Sequence, residues 1–146
     1  MTRYLLDTNI LSNATKPVPS ETLIAWLEQQ ADEDLFICSL NLAEIWNGIL
    51  ELPAGKRRKA LETWFTGPEG PQALFAGRIL AFDEHAALAW GRLMAEGAKS
   101  GRPRSPIDMI LASIAEANGC VVVTENERHF AGTPFINPMW PAPTAS

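Results

Sequence analysis

The feature that most constrains this chain is the run Cys120-Val121-Val122-Val123-Thr124. β-Branched side chains are stiff at χ1 and pack well on a pleated sheet. The run shows no polar–apolar alternation. That points to burial on both faces, as in a parallel sheet covered by helices on its two sides. Other short apolar runs read as strands in the same way: Tyr4–Leu6, Leu35–Cys38, Arg78–Phe82 and, last and shortest, Phe135-Ile136. Between them lie segments with helical spacing or cap signals: Thr8–Ala14, Ser20–Gln30, a helix opening at Ser39 or Asn41, Ala54–Phe65, one from an Asp83 cap to Lys99, and one opening at Ser105-Pro106. Asn118-Gly119 ends that last helix with residues that tolerate positive φ. Gly67–Pro71 and Gly101–Arg104 read as loops. Strands separated by helices define an α/β fold with right-handed crossovers.

A length of 146 residues is one ordinary domain. No internal repeat or linker divides it, so the expected organisation is a domain over 1–137 and a proline-rich tail over 138–146. Hydrophobic residues at 47% and charged residues at 20% exclude a disordered chain, a collagen repeat and a coiled coil. No apolar run approaches the ~18 residues of a membrane span. The N-terminus meets Asp7 after two apolar residues, unlike a secretory signal. Cys38 and Cys120 sit in strand-like runs without a CxxC partner, which reads as reduced, buried thiols in a cytoplasmic protein and not as a zinc site.

The formal net charge of −5 excludes a uniformly basic nucleic-acid surface but not a local basic groove. Lys56, Arg57, Arg58 and Lys59 are consecutive, and Lys99, Arg102 and Arg104 form a second group. The first group reads as a solvated helix face ahead of a binding one. There is no GxGxxG and no GxxxxGK[ST], which disfavours dinucleotide and nucleoside-triphosphate binding. Trp26, Trp46, Trp64 and Trp90 lie in helical patterns and read as core, with Trp46 and Trp64 the ones expected at a partner surface.

Ligands of an open parallel sheet bind at the carboxyl ends of its strands, where the strand order reverses. Asp7 follows the first strand. Glu44 lies in the helix after the second, Asp108 in the first turn of the helix before Val121–Val123, and Asn126 just beyond that strand. Gathered carboxylates repel one another unless a cation sits among them. Hard oxygen donors suit Mg²⁺ or Mn²⁺, and such an ion acidifies water and stabilises charge on a phosphate. Metal-dependent phosphodiester hydrolysis follows from such a site. Each acid has a local reading as well. Asp7 reads as a helix N-cap. Asp108 stands at N3 after Ser105 and reads as half of a capping box. Glu44, flanked by Leu42, Ile45 and Trp46, is the hardest to explain without a partner. Asn126 reads as a turn residue, His85 as a helix-start residue and His129 as a rim residue of the site.

Four segments in this order resemble the motifs of PIN-domain nucleases: Tyr4-Leu5-Leu6-Asp7-Thr8-Asn9-Ile10-Leu11, Asn41-Leu42-Ala43-Glu44-Ile45, Gly101-Arg102-Pro103 with Ser105-Pro106-Ile107-Asp108, and Val123-Thr124-Glu125-Asn126-Glu127-Arg128-His129-Phe130. Within that family the chain is most similar to VapC-type toxins of bacterial toxin–antitoxin pairs. The resemblance implies a single three-layer α/β/α domain whose parallel sheet has the strand order 3-2-1-4-5. It implies a metal-dependent endoribonuclease in which Asp7, Glu44 and Asp108 are the ligands of one or two Mg²⁺ or Mn²⁺ ions, with Asn126 beside them. Thr8 and Thr124 would support the site by hydrogen bonds. Arg102, Arg104, Glu125 and His129 would lie where RNA or antitoxin is contacted. The implied partners are an RNA substrate and a VapB-type antitoxin, with the toxin a homodimer and the complex a heterotetramer or larger. The chain departs from the pattern at the fourth motif: Asn126 and His129 stand where an acid is often found, and Glu125 where a basic residue is usual. That departure leaves room for a second reading, a PIN-like module that binds RNA or protein without cutting.

Overall fold

The computed structural model describes residues 2–139, so residues 140–146, most of the expected tail, lie outside the described residues. Five strands form one sheet: β1 (Arg3–Leu6), β2 (Leu35–Cys38), β3 (Ile79–Leu80), β4 (Cys120–Val123) and β5 (Phe135–Ile136). Their order is β3-β2-β1-β4-β5 and every neighbouring pair is parallel. This is the order that the resemblance implies. The helices among the described residues are α1 (Thr8–Ala14), α2 (Glu21–Glu28), α3 (Ser39–Leu50), α4 (Lys56–Thr66), α5 (Pro71–Leu74), α6 (Glu84–Lys99) and α7 (Pro106–Ala117). None of them is long and apolar enough to cross a membrane.

The sheet separates two cores, as uniform apolar strands require. Leu5 and Leu6 are consecutive, face opposite ways, and are 0% and 2% exposed. Leu5 packs with Val122, Met109, Leu111, Ile114 and Leu93, beneath α6 and α7. Leu6 packs with Val123, Ile37, Ile10 and Leu23, beneath α1 and α2. The register sets Leu6 beside Val123, which brings the carboxyl ends of β1 and β4 level. Cys38 and Cys120 are buried free thiols, as expected.

Caps explain several boundaries. The Asp83 carboxylate accepts from the Ala86 N–H at 3.0 Å and opens α6. The Ser105 hydroxyl accepts from the Asp108 N–H at 3.3 Å, with Pro106 at the first position of α7. Past the end of α7, Gly119 turns the chain into β4 with φ +65°, where a Cβ would be strained. The cap of α3 differs from expectation. Cys38 is its N-cap, and Asn41 stands at N3, its Oδ1 accepting from the Cys38 N–H at 2.7 Å.

Three expectations need correction. The third strand does not run over Arg78–Phe82 but pairs only at Ile79–Leu80. The chain must leave the sheet at Ala81 to reach the Asp83 cap. Meanwhile the Arg78 guanidinium is drawn sideways onto the carbonyls of Leu35 (2.6 Å) and Leu74 (2.7 Å). The loop at Gly67–Pro71 runs directly into α5, with Pro71 at N1, because proline marks both a turn and a helix start. Two 3-10 turns, Asp32–Asp34 and Glu127–Phe130, carry no periodic signal. The tryptophans expected at a surface are half-buried, Trp46 packing on Phe65 with ring centroids 4.9 Å apart.

Candidate active site

The strand order reverses between β1 and β4, and the acidic centre is built there. Asp7 continues β1, its N–H donating to the Val123 carbonyl at 2.9 Å. Asp7 as a whole is only 9% exposed, so each carboxylate oxygen needs a donor. Oδ1 accepts from the Thr8 N–H at 2.7 Å, which is the N-cap bond of α1. Oδ2 accepts from the fully buried Thr124 hydroxyl at 2.8 Å and from Asn9 Nδ2 at 3.3 Å. The Thr124 bond crosses the switch point from β4 to β1. The capping reading of Asp7 therefore holds and does not exhaust its role.

The Asp7 pKa is raised from its ordinary value. Burial is the main cause, the Thr124 and Thr8 donors pull against it, and the charges of Glu44 and Asp108 push it further up. Both distant acids thus bring their fields to bear on Asp7. Each of their side chains has a polar contact of its own. Glu44 Oε1 accepts from the Thr8 hydroxyl at 2.8 Å, and that hydroxyl accepts from Asn41 Nδ2 at 3.0 Å. Asp108 Oδ2 lies 3.1 Å from His129 Nδ1. Among the described residues, no three His, Cys, Asp or Glu side chains stand together as a ready-made ion site.

Two points revise the reading from sequence. Glu44 is exposed rather than set among core residues; the buried polar side chain of α3 is Asn41, fully enclosed three residues earlier on the same face. Asp108 does not close a capping box; the Ser105 hydroxyl serves its N–H alone, and the carboxylate meets the imidazole. His129 reaches it from the 3-10 turn that the buried Phe130 anchors. Asn126 is exposed and contributes its backbone N–H to Thr124 Oγ1 at 3.0 Å. Glu125 and Arg102 are exposed. Arg104 turns inward, donating to the Leu93 carbonyl at 2.7 Å. Asn9 and Asn41 were not singled out from sequence as site residues. Asn9 Oδ1 is buried and has no hydrogen-bond partner among the described residues, an unusual state for an amide oxygen. For Asn41 the signal was present in the spacing, since it lies three residues before Glu44 on one helix face.

The donor set is hard oxygen throughout, with a desolvated carboxylate under two like charges and an orphaned buried oxygen beside it. A divalent cation answers both features, because it offsets the repulsion at Asp7 and takes oxygen ligands. The residues fit such an ion chemically.

A sheet of this order with acids at its switch point is the architecture of PIN domains. The chain matches the PIN domain model over residues 4–136 and belongs to that family. It is 36% identical over 140 residues to VapC ribonuclease Y4jK of Sinorhizobium fredii, covering 94% of this chain and 99% of the relative. It is 32% identical over 136 residues to Toxin FitB of Neisseria gonorrhoeae, covering 92% and 96%. The crystal structure of FitAcB from Neisseria gonorrhoeae superposes with a TM-score of 0.85 at 31% identity, covering 92% of this chain and 97% of that one.

Proposed function

We propose that this chain is a metal-dependent endoribonuclease and the toxin of a VapBC-type toxin–antitoxin pair, acting in the cytoplasm. The observation that carries the reading is Asp7: a nearly buried carboxylate at the β1/β4 switch point, bonded to Thr124 at 2.8 Å and lying in the fields of Glu44 and Asp108. Relatives named as a ribonuclease and as a toxin, matched over nearly their whole length, support the same reading. Asp7, Glu44 and Asp108 would hold Mg²⁺ or Mn²⁺, with Asn126 at the edge. Such an ion, when bound, supplies Lewis-acid stabilisation of phosphate charge and an acidified water.

The chain's own residues prepare that centre. Thr124 and the Thr8 N–H fix both oxygens of Asp7, so the carboxylate enters the site in one orientation. The Thr8 hydroxyl, steadied by Asn41, aims Glu44. His129 aims Asp108. Supports of this kind keep ligand carboxylates in place and affect metal affinity and activity by about 10–100-fold. The partners in this reading are RNA as substrate and a VapB-type antitoxin as inhibitor, with the toxin a homodimer.

The test is cleavage of labelled RNA by the purified chain with Mg²⁺ or Mn²⁺. Asp7→Asn, Glu44→Gln and Asp108→Asn should each lose activity by at least about 100-fold while retaining the wild-type circular dichroism. Mn²⁺ should also raise the wild-type melting temperature, by the equivalent of about 2.7 kcal/mol at a hundredfold excess over Kd, and leave Asp7→Asn unmoved. Full cleavage by all three variants would refute the assignment. A second reading is favoured by one observation: each acid already has a polar partner of its own within the chain. On that reading the chain binds RNA or protein without cutting. Toxicity on expression, relieved by the co-expressed product of a neighbouring gene, separates the two.

A further inference from the structure

Beside the acidic centre opens a cleft of about 600 Å³ whose wall includes Arg102, Arg104, Arg128 and His129 and, among the described residues, no aspartate or glutamate. In a chain of net charge −5, this wall inverts the local sign. The three arginines do not play one part. Arg104 forms the floor: its side chain is 16% exposed, it donates to the Leu93 carbonyl at 2.7 Å, and Glu96 lies 3.6 Å away. The floor can sit this low because residue 97 of α6 is glycine. A Cβ there would stand 2.9 Å from Arg104 Cγ and 3.1 Å from the Arg102 carbonyl. Arg102 and Arg128 are different. Both are exposed, and among the described residues neither has a carboxylate within ion-pair distance.

These two cations come from separate segments, the loop before α7 and the 3-10 turn after β4, and converge on one cleft. The cleft is continuous with the site, since His129 lines it and also touches Asp108 at 3.1 Å. A cluster of carboxylates repels a polyanion, so a strand brought to Asp7 needs cationic holds close by. Guanidinium groups suit phosphate oxygens through bidentate hydrogen bonds.

We propose that this cleft binds a backbone phosphate of the RNA strand next to the scissile bond, with Arg102 and Arg128 as its binding residues and Arg104 as a structural floor. The proposal rests on the ribonuclease reading and adds to it the hold on the substrate. Contacts of this kind position a strand without reading its bases. Arg102→Ala and Arg128→Ala should therefore weaken binding to all sequences alike.

The test uses the full chain and a short, mixed-sequence, fluorescein-labelled RNA strand. Binding is followed by anisotropy in EDTA over a salt series, and cleavage is followed with metal on the same preparations. Each substitution should weaken binding about tenfold and flatten the slope of log K against log salt by about 0.7, the double variant by about 1.4. In the cleavage assay they should raise KM more than they lower kcat. Arg102→Lys and Arg128→Lys, which keep the charge, should recover part of the affinity. Both positions are exposed, so melting temperatures should match the wild type and confirm folding. Unchanged affinity and salt slope in the double variant, with wild-type cleavage intact, would overturn the proposal and leave the ribonuclease reading standing. Loss of binding to a partner protein with RNA binding unaltered would also overturn it. Arginine-dependent RNA binding in a chain that cuts nothing would remove the catalytic reading and support the cleft.

Discussion

The bond from Thr124 to Asp7 offers the most direct probe of the centre. Thr124→Val is nearly isosteric and removes only the hydroxyl. The lost bond is 2.8 Å long, donated by a fully buried side chain to the carboxylate of Asp7, a residue 9% exposed. A hydrogen bond to a charged group contributes about 1.5–3 kcal/mol, and little water can replace the donor at such a site. The Asn126 N–H also loses Thr124 as acceptor, but Asn126 is exposed and water can serve it. The expected loss at neutral pH is therefore about 1.5–3 kcal/mol, or about 5–10 °C in melting temperature for a chain of this size. The loss depends on pH in a definite direction. Thr124 donates to the anion and holds the Asp7 pKa down against burial, so its removal raises that pKa further. The penalty is greatest where Asp7 is ionised and shrinks as the pH falls through its raised pKa, because a protonated carboxyl no longer needs the donor. Thr124→Ser keeps the hydroxyl and should lose only about 0.8 kcal/mol for its methyl. The assay is thermal denaturation followed by circular dichroism across the acid-to-neutral range. If valine and serine variants melt alike at neutral pH, or if the valine penalty is flat with pH, the bond does not carry the centre as argued.

Asp7→Asn should behave in the opposite way. A carboxyl with a raised folded pKa opposes folding once the pH exceeds its ordinary range, so the asparagine variant, free of metal, should melt above the wild type at neutral pH. Their curves should converge in acid, and a variant less stable than wild type across the range would contradict the burial argument. Asn41→Ala strands the Cys38 N–H, which is bonded at 2.7 Å in a buried position, and frees the Thr8 hydroxyl. Chemical denaturation should show a loss of about 2 kcal/mol, and a loss below about 0.5 kcal/mol would show that water replaces the amide. Burial pushes the Cys38 thiol up to about 11, so a thiol-specific disulfide reagent should label it only as fast as the chain opens. Rapid labelling of the native protein at Cys38 would refute that.

Much of the architecture lies in local patterning. The run Cys120–Thr124 and its shorter counterparts announce strands covered on both faces, and two cores meeting at Leu5 and Leu6 bear this out. Asp83, Ser105 and Gly119 mark helix boundaries because caps are made by neighbours in sequence. Asp7, Glu44 and Asp108 could be singled out because chain order sets them at or near the carboxyl ends of strands, though it did not name their side-chain partners.

The partners themselves are long-range. Thr124 lies 117 residues from Asp7 and Asn41 33 from Thr8, and His129 meets Asp108 across the gap between a helix start and a 3-10 turn. The inward turn of Arg104 depends on α6 having glycine where the loop packs against it. The short β3 depends on how soon the chain must leave the sheet to cap α6. Periodicity and capping act over a few residues, so the chain's order of strands, helices and acidic turns is written in those neighbours. Which donor faces which carboxylate, and which arginine remains free for a ligand, depends on the register of β1 against β4 and on packing between distant segments. Those distances exist only once the chain has folded.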